Sequence, residues 1–245
     1  MKKDLIVSEL NDARYLEEIV TMHRDIFLGT ELYGKLMYFD ENFPDYFKKV
    51  LESKNDYIVG VFKGESIMGF LHLKKIEKTL FLNNIFFKEE IRGGGIGTDT
   101  LREVLTKPFV TLEGFEYLEL DVFESNVLAK KWYNKLGLLD ISTSDWYFLQ
   151  SNKKEDFNGD FKINEDINNF KSLYYNDHKV ATFINDSYII AHDTVALQYK
   201  SSAQFIYRTV KNENAIVNNM KFDSSTRMRG NISSIIDKIQ CLISK

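Results

Sequence analysis

The stretch EEIRGGGIGTDTLREV (residues 89–104) places four glycines in the five positions 93–97, with Arg92 ahead of them and a helix-forming run behind. Glycine within regular structure costs roughly 0.5–1 kcal/mol per position relative to alanine, so such a cluster needs a physical reason. One reason is an anion held at a helix N-terminus. Backbone N–H groups reach it closely only where no Cβ intervenes, and the helix dipole adds to the attraction. Two nucleotide patterns fail here. The P-loop spacing G-x-x-x-x-G-K-[ST] lacks its lysine, and G-x-G-x-x-G counted from Gly93 meets Thr98 at its last position. What fits is R-x-x-G-x-G, formed by Arg92, Gly95 and Gly97, with a ligand-free turn as the competing reading.

Working outward, TLFLNNIFF (79–87) reads as a strand that feeds the glycine loop directly, and DYIVGVFKGESIMGFLHLKKI (56–76) as a hairpin turning at KGES. ARYLEEIVTMHRDIF (13–27) puts Leu16, Ile19, Val20 and Ile26 at helical spacing behind a cap at Asn11 or Asp12. An aromatic and acidic loop then leads to a helix over 44–53. Downstream of the glycines, 98–106 reads as a helix ended by Pro108, and FEYLELDVFESN (115–126) as a strand with one buried face. VLAKKWYNKLGL (127–138) reads as a helix stopped by Gly137, and DISTSDWYFLQ (140–150) as a last strand. The polar SNKKEDFNGD (151–160) marks a boundary, so two domains are expected, 1–150 and 151–245.

A second block, Ser125-Asn126, Ala129, Tyr133 and Gly137, follows the glycine loop across a helix and a strand. The two blocks in this order, over roughly residues 5–150, resemble the GNAT superfamily of acyl-CoA-dependent N-acyltransferases. The resemblance implies an α/β fold: a mixed, mostly antiparallel sheet whose central parallel strands, here TLFLNNIFF and EYLELDVF, splay apart to admit acetyl-CoA. It implies that the pantetheine arm pairs with the backbone of Ile85, Phe86 and Phe87. The pyrophosphate then falls to Gly93, Gly94, Gly95, Ile96, Gly97 and Thr98, with Arg92, while Asn126 anchors the arm or adjacent backbone. Tyr133 takes the family's place for the acid that protonates the departing thiolate, and Asp121 that of a base.

The residue types suit this chemistry. A thiol of pKa about 8.5 leaves beside a tyrosine of about 10. Freeing the lone pair of an amine of pKa near 10 at pH 7 costs roughly 4 kcal/mol, so a base is wanted. An ordinary aspartate at about 3.9 is too weak unless burial raises it or water relays the proton. The plain structural alternatives stand beside each role: a core tyrosine for Tyr133, and a solvated strand-face acid for Asp121, whose face Glu119 shares. Asn83 and Asn84 either position the acetyl group or stabilise a bulge. His23 and His72 lack metal-site spacing and read as structural, and no metal is expected. Glu31, Asp40 and Glu41, in ELYGKLMYFDENFPDYF (31–47), either attract a cationic amine or form a solvated rim.

Bulk properties agree with this class. The 245 residues are 44% apolar and 28% charged, which suits a folded globular chain. No apolar run approaches the roughly 18–20 residues that span a bilayer, and the first residues lack the apolar core of a secretion signal. The single cysteine, Cys241, cannot form an internal disulfide, reads as a small buried hydrophobe and fits a reducing cytoplasm. Residues 1–150 carry 25 acidic and 19 basic side chains and the remainder 11 and 13, so neither half has a nucleic-acid footprint.

The second half carries no motif with a name. VGVFKGESIMGF (59–70) matches VATFINDSYIIA (180–191), and LNNIFFKEEIRGGGIG (82–97) matches VNNMKFDSSTRMRGNI (217–232), in the same order. A decayed partial repeat of the same fold is one reading and chance the other. In that alignment Gly93, Gly94 and Gly97 fall on Met228, Arg229 and Ile232, whose side chains obstruct a phosphate nest, and no counterpart of Asn126 and Tyr133 follows. Residues 151–245 are therefore expected to be a smaller, non-catalytic α+β domain, a lid or a homodimer surface that covers an open sheet edge. The functional expectation is an acetyl-CoA-dependent N-acetyltransferase. Its acceptor is a primary amine, in a small amine or amino-acid compound or at a peptide N-terminus, which attacks directly. The alternative is a CoA-binding sensor or interaction protein that keeps the fold without turnover.

Overall fold

The computed structural model describes residues 4–152, 157, 159–209 and 220–243. The chain divides into two compact units, one from Met1–Ile26, Phe47–Ser142 and Thr226–Lys245, the other from Phe27–Tyr46 and Thr143–Ser225. In chain order the elements are β1 (Leu5–Glu9), α1 (Leu16–Asp25), α2 (Phe43–Leu51), β2 (Asp56–Lys63), β3 (Ser66–Ile76) and β4 (Thr79–Phe87). There follow α3 (Ile96–Leu105), α4 (Pro108–Leu112), β5 (Tyr117–Phe123), α5 (Val127–Leu136) and β6 (Leu139–Leu149). The second half adds β7 (Phe161–Glu165), β8 (Lys171–Tyr175), β9 (His178–Phe183), β10 (Tyr188–Ala191), β11 (Gln204–Arg208), β12 (Met220–Asn231) and α6 (Ile232–Ile243).

The first unit is an α/β fold on a mixed sheet of order β1-β2-β3-β4-β5-β12. Strands β1 to β4 run antiparallel to their neighbours, whereas β4 and β5 are parallel. Alternation in β5 sends Leu118, Leu120 and Val122 into a core with Leu101, Val104 and Leu105 of α3, Tyr133 and Leu136 of α5, and Ile232, Ile235 and Ile239 of α6. Helix α1 buries Ile19 and Val20 of the stripe its spacing predicts together with Met22 and His23, while Leu16 and, just past the helix, Ile26 are half-buried. Asp12 caps the short 3-10 turn ahead of it by accepting from the Arg14 N–H at 2.8 Å.

The second unit contributes a sheet of order β7-β8-β9-β10-β11-β6. Strands β7 to β10 again run antiparallel to their neighbours, β10 and β11 are parallel, and β11 pairs antiparallel with β6. Its core gathers Leu149, Leu173, Ala181, Ile189 and Phe205.

Three expectations change. The boundary near residue 150 does not follow the compact units: β6 and β12 each pass from one unit into the other, and α6 packs in the first unit because its Ile face completes that core. Strand order repeats as β1–β5 with β12 against β7–β11 with β6, so β3–β4 corresponds to β9–β10. The residue matches set β2–β3 there instead, because short hairpins share composition whatever their place in a sheet. Cys241 is exposed, since α6 buries the face of Ile232, Ile235 and Ile239. Smaller shifts have local causes. Helix α3 starts at Ile96 because Gly95, at φ +82°, supplies a left-handed cap, and Pro108 opens α4, where its missing N–H is harmless.

Candidate active site

Strands β4 and β5 pair only from Thr79–Tyr117 to Leu82–Leu120, and the pairing stops at the next residue. That residue is Asn83, which is also the extra residue of a bulge against β3: Leu73 lies opposite Leu82, but His72 lies opposite Asn84. A bulge bends its strand and raises the local twist, so β4 leaves β5 at this point and a gap opens between them. Ile85, Phe86 and Phe87 pair with Leu71, Phe70 and Gly69 of β3, which leaves their other edge facing the gap. An extended ligand can join such an edge as a strand would. Gly69 is needed for the close approach of β3, since a Cβ there would lie 2.6 Å from the Phe86 carbonyl oxygen.

The glycine loop begins where β4 ends. Gly93, Gly94 and Gly95 have φ of +74°, +56° and +82°, a left-handed run that residues with a side chain adopt only at a cost. No atom lies within 4 Å of a Cβ built on Gly93 or Gly95, so the backbone is open on that side. The Asp99 N–H bonds the Gly95 carbonyl at 2.9 Å, while among the described residues no acceptor serves the N–H groups of Gly97 and Thr98. Free N–H groups at a helix N-terminus behind left-handed glycines are the donor set that a diphosphate fits.

Arg92 turns back on the strand: its Nε donates to the Phe87 carbonyl at 2.6 Å and its guanidinium lies over the Phe86 ring. Gly97 meets Trp132, a residue that sequence reasoning passed over. A Cβ on Gly97 would come within 3.2 Å of that indole, whose Nε1 donates to Thr98 Oγ1 at 3.0 Å. Trp132 thus clamps α5 to the first turn of α3.

Asn126 caps α5, its Oδ1 accepting from the Ala129 N–H at 3.1 Å. Tyr133 is buried against Trp132, and burial pushes its phenol well above the ordinary value, which keeps it protonated. Asp121 is gripped by the fork of Arg227, with Nε–Oδ1 and Nη2–Oδ2 both at 2.8 Å. The buried Glu119 pairs with Arg229, and Arg227 and Arg229 lie over the rings of Phe81 and Tyr117. As partners of Asp121 and Glu119 these two arginines were also passed over. The signal was present: STRMR alternates basic side chains at the period with which YLELD alternates acidic ones.

Other candidates find structural places. His23 is buried between Phe47 and Phe70, with Nδ1 2.8 Å from the Ile19 carbonyl, and burial lowers its pKa to about 3. Asp40 belongs to the second unit, where burial raises its pKa and its Oδ1 accepts from the Asn42 N–H; Glu31 there faces Lys35 at 3.9 Å. No helix among the described residues is long and apolar enough to cross a membrane.

A parallel pair opened at a bulge, with a glycine loop and helix N-terminus beside it, makes a cleft whose donor set suits a diphosphate. The model of the GNAT acetyltransferase family matches residues 16–138, and the chain belongs to that family. No curated protein matches the chain. Among solved structures, a proposed acetyltransferase of Pyrococcus horikoshii is similar at TM-score 0.64 and 14% identity, covering 94% of this chain and 90% of that one. The spermidine N-acetyltransferase of Vibrio cholerae, solved with CoA and spermine, is similar at TM-score 0.51 and 13% identity, covering 96% and 99%. At such identities the likeness concerns the fold.

Proposed function

We propose that the chain is an acetyl-CoA-dependent N-acetyltransferase acting on a primary amine. The observation that carries this reading is the coincidence at one end of β4 of the bulge, the end of β5 pairing and the left-handed glycine loop. Ile85, Phe86 and Phe87 offer the strand edge to the pantetheine arm. Gly93, Gly94, Gly95, Ile96, Gly97 and Thr98 take the pyrophosphate, with Arg92 and Asn126 holding the flanking backbone. The amine nitrogen bonds to the thioester carbon as the carbon–sulfur bond breaks, and Tyr133 supplies the proton for the thiolate. Asp121 takes the amine's proton through a water, using lone pairs beyond the two that Arg227 holds. The spermine complex of the V. cholerae relative supports polyamines as the first acceptors to try.

A second reading, a CoA-binding sensor without turnover, draws on Asp121 being held by Arg227. Thermal unfolding with acetyl-CoA, followed by mass spectrometry with polyamine, amino-acid and peptide acceptors, separates the two. Ligand at about 100 times its dissociation constant adds about 2.7 kcal/mol. A shift with an acetylated product supports the enzyme and a shift without product the sensor. No shift in folded protein ends both.

A further inference from the structure

Asn83 is more than the bulge residue. Its Nδ2 lies 3.4 Å from Nδ1 of His72 and 2.5 Å from Oδ1 of Asn84, while Nε2 of His72 lies 2.7 Å from Oδ1 of Asp56. The chain runs from β2 through β3 to β4 and stops where the sheet opens. Its polarity follows from Asp56. Burial raises that carboxyl, but hydrogen bonds from His72 and Ser53 more than offset this and leave it below its ordinary value, hence ionised and only an acceptor. His72 therefore carries its proton on Nε2. Burial outweighs the pull of Asp56 and holds the imidazole below its ordinary pKa, so Nδ1 is a bare lone pair. Only the amino side of Asn83 can face that lone pair, and its second N–H goes to Asn84. Both donors of Asn83 are then used within the protein, while its Oδ1 has no partner among the described residues and is not among the buried polar atoms left unsatisfied.

We propose that Asp56 and His72 lock Asn83 with its carboxamide oxygen turned to the gap, where it accepts an N–H of the acceptor amine and aims the nitrogen at the thioester carbon. The proposal rests on the acyltransferase reading. Asn83 is the group that meets substrate, whereas His72 and Asp56 are positioning residues. A carbonyl oxygen at this point favours a nitrogen nucleophile that has a proton to spare after attack, which primary amines have and tertiary amines lack.

The test is steady-state kinetics with spermine as acceptor at saturating acetyl-CoA, together with calorimetric titration of acetyl-CoA. Asn83→Ala is the primary variant because it leaves the buried Asp56–His72 pair intact. It should raise the KM for the amine about tenfold and leave acetyl-CoA affinity within about twofold. His72→Asn keeps an acceptor near the Nδ1 position, whereas His72→Gln keeps only a donor toward Asp56. The first should hold the amine KM nearer to wild type than the second, whereas a merely structural histidine would lose stability in both with no difference in KM. Wild type that transfers acetyl groups while Asn83→Ala keeps its amine KM overturns the inference alone. Wild type that acetylates no amine in the panel overturns the proposed function and the inference together.

Discussion

The two parallel strand pairs, β4–β5 and β10–β11, stand at the same place in sheets of the same order, yet one is open and the other closed. Tyr188, Ile189, Ile190 and Ala191 pair without a break with Gln204, Phe205, Ile206 and Tyr207, so β10 uses its whole length. Strand β4 uses four of its nine residues on β5 and then bulges away. The connections differ as well. Between β4 and β5 run the glycine loop, α3 and α4, while between β10 and β11 the described structure holds only the short 3-10 turn Thr194–Gln198. A cleft therefore does not come with the strand order. One extra residue in one strand opens it, and a helix whose N-terminus faces the opening equips it for an anion.

Breaking the closed side should give the largest effect. Phe205→Ala empties a fully buried position of the second unit and should cost about 3–5 kcal/mol in urea unfolding. The folded fraction should keep its acetyl-CoA affinity if the ligand belongs to β4 alone. On the open side, Gly95→Val sets a branched side chain at φ +82° and should abolish the acetyl-CoA shift of about 2.7 kcal/mol, scored against the variant's own melting temperature.

Acid should then distinguish the units. In the first, His23 keeps a folded pKa of about 3 against 6.5 when unfolded. Its contribution is complete above pH 6.5 and is lost as pH falls, because the unfolded chain takes up a proton that the folded one refuses. At pH 5 the loss is about 2 kcal/mol, and His23→Leu should flatten that limb of the stability–pH curve. In the second, His192 is lowered in the same direction but stands at an exposed position, so the corresponding variant should flatten it less. The smallest effect belongs to Arg227→Ala. It removes the fork on Asp121, but the guanidinium is partly exposed, so urea unfolding should register a loss of about 1 kcal/mol.

Much of the site was legible because it is local. Glycines that need positive φ and a strand alternating apolar and acidic residues declare themselves within a short window, whereas Asn126 reads as an anchor for the ligand arm or adjacent backbone and is found capping α5. The bulge was legible only as one of two readings of Asn83 and Asn84. What escaped was long-range. Arg227 stands 106 residues from Asp121, so the matched alternation of STRMR and YLELD shows only when two distant segments are set side by side. The acids of segment 31–47 read either as attracting a cationic amine or as a solvated rim, yet most of the segment belongs to the second unit, with Asn42 bonding the Asn169 carbonyl at 3.2 Å and Tyr46 meeting Phe170. The repeated strand order hides in the same way, because no residue match within a short window declares it.

The order in which the strands leave the ribosome gives the acid pair on β5 a second meaning. Strand β12 is made long after β5, so during synthesis β5 is the outer rim of a growing sheet, the place where nascent chains stick to one another. Glu119 and Asp121 put two negative charges on that rim until Arg227 and Arg229 arrive to neutralise them. The carboxylates that anchor the finished sheet also guard the unfinished one.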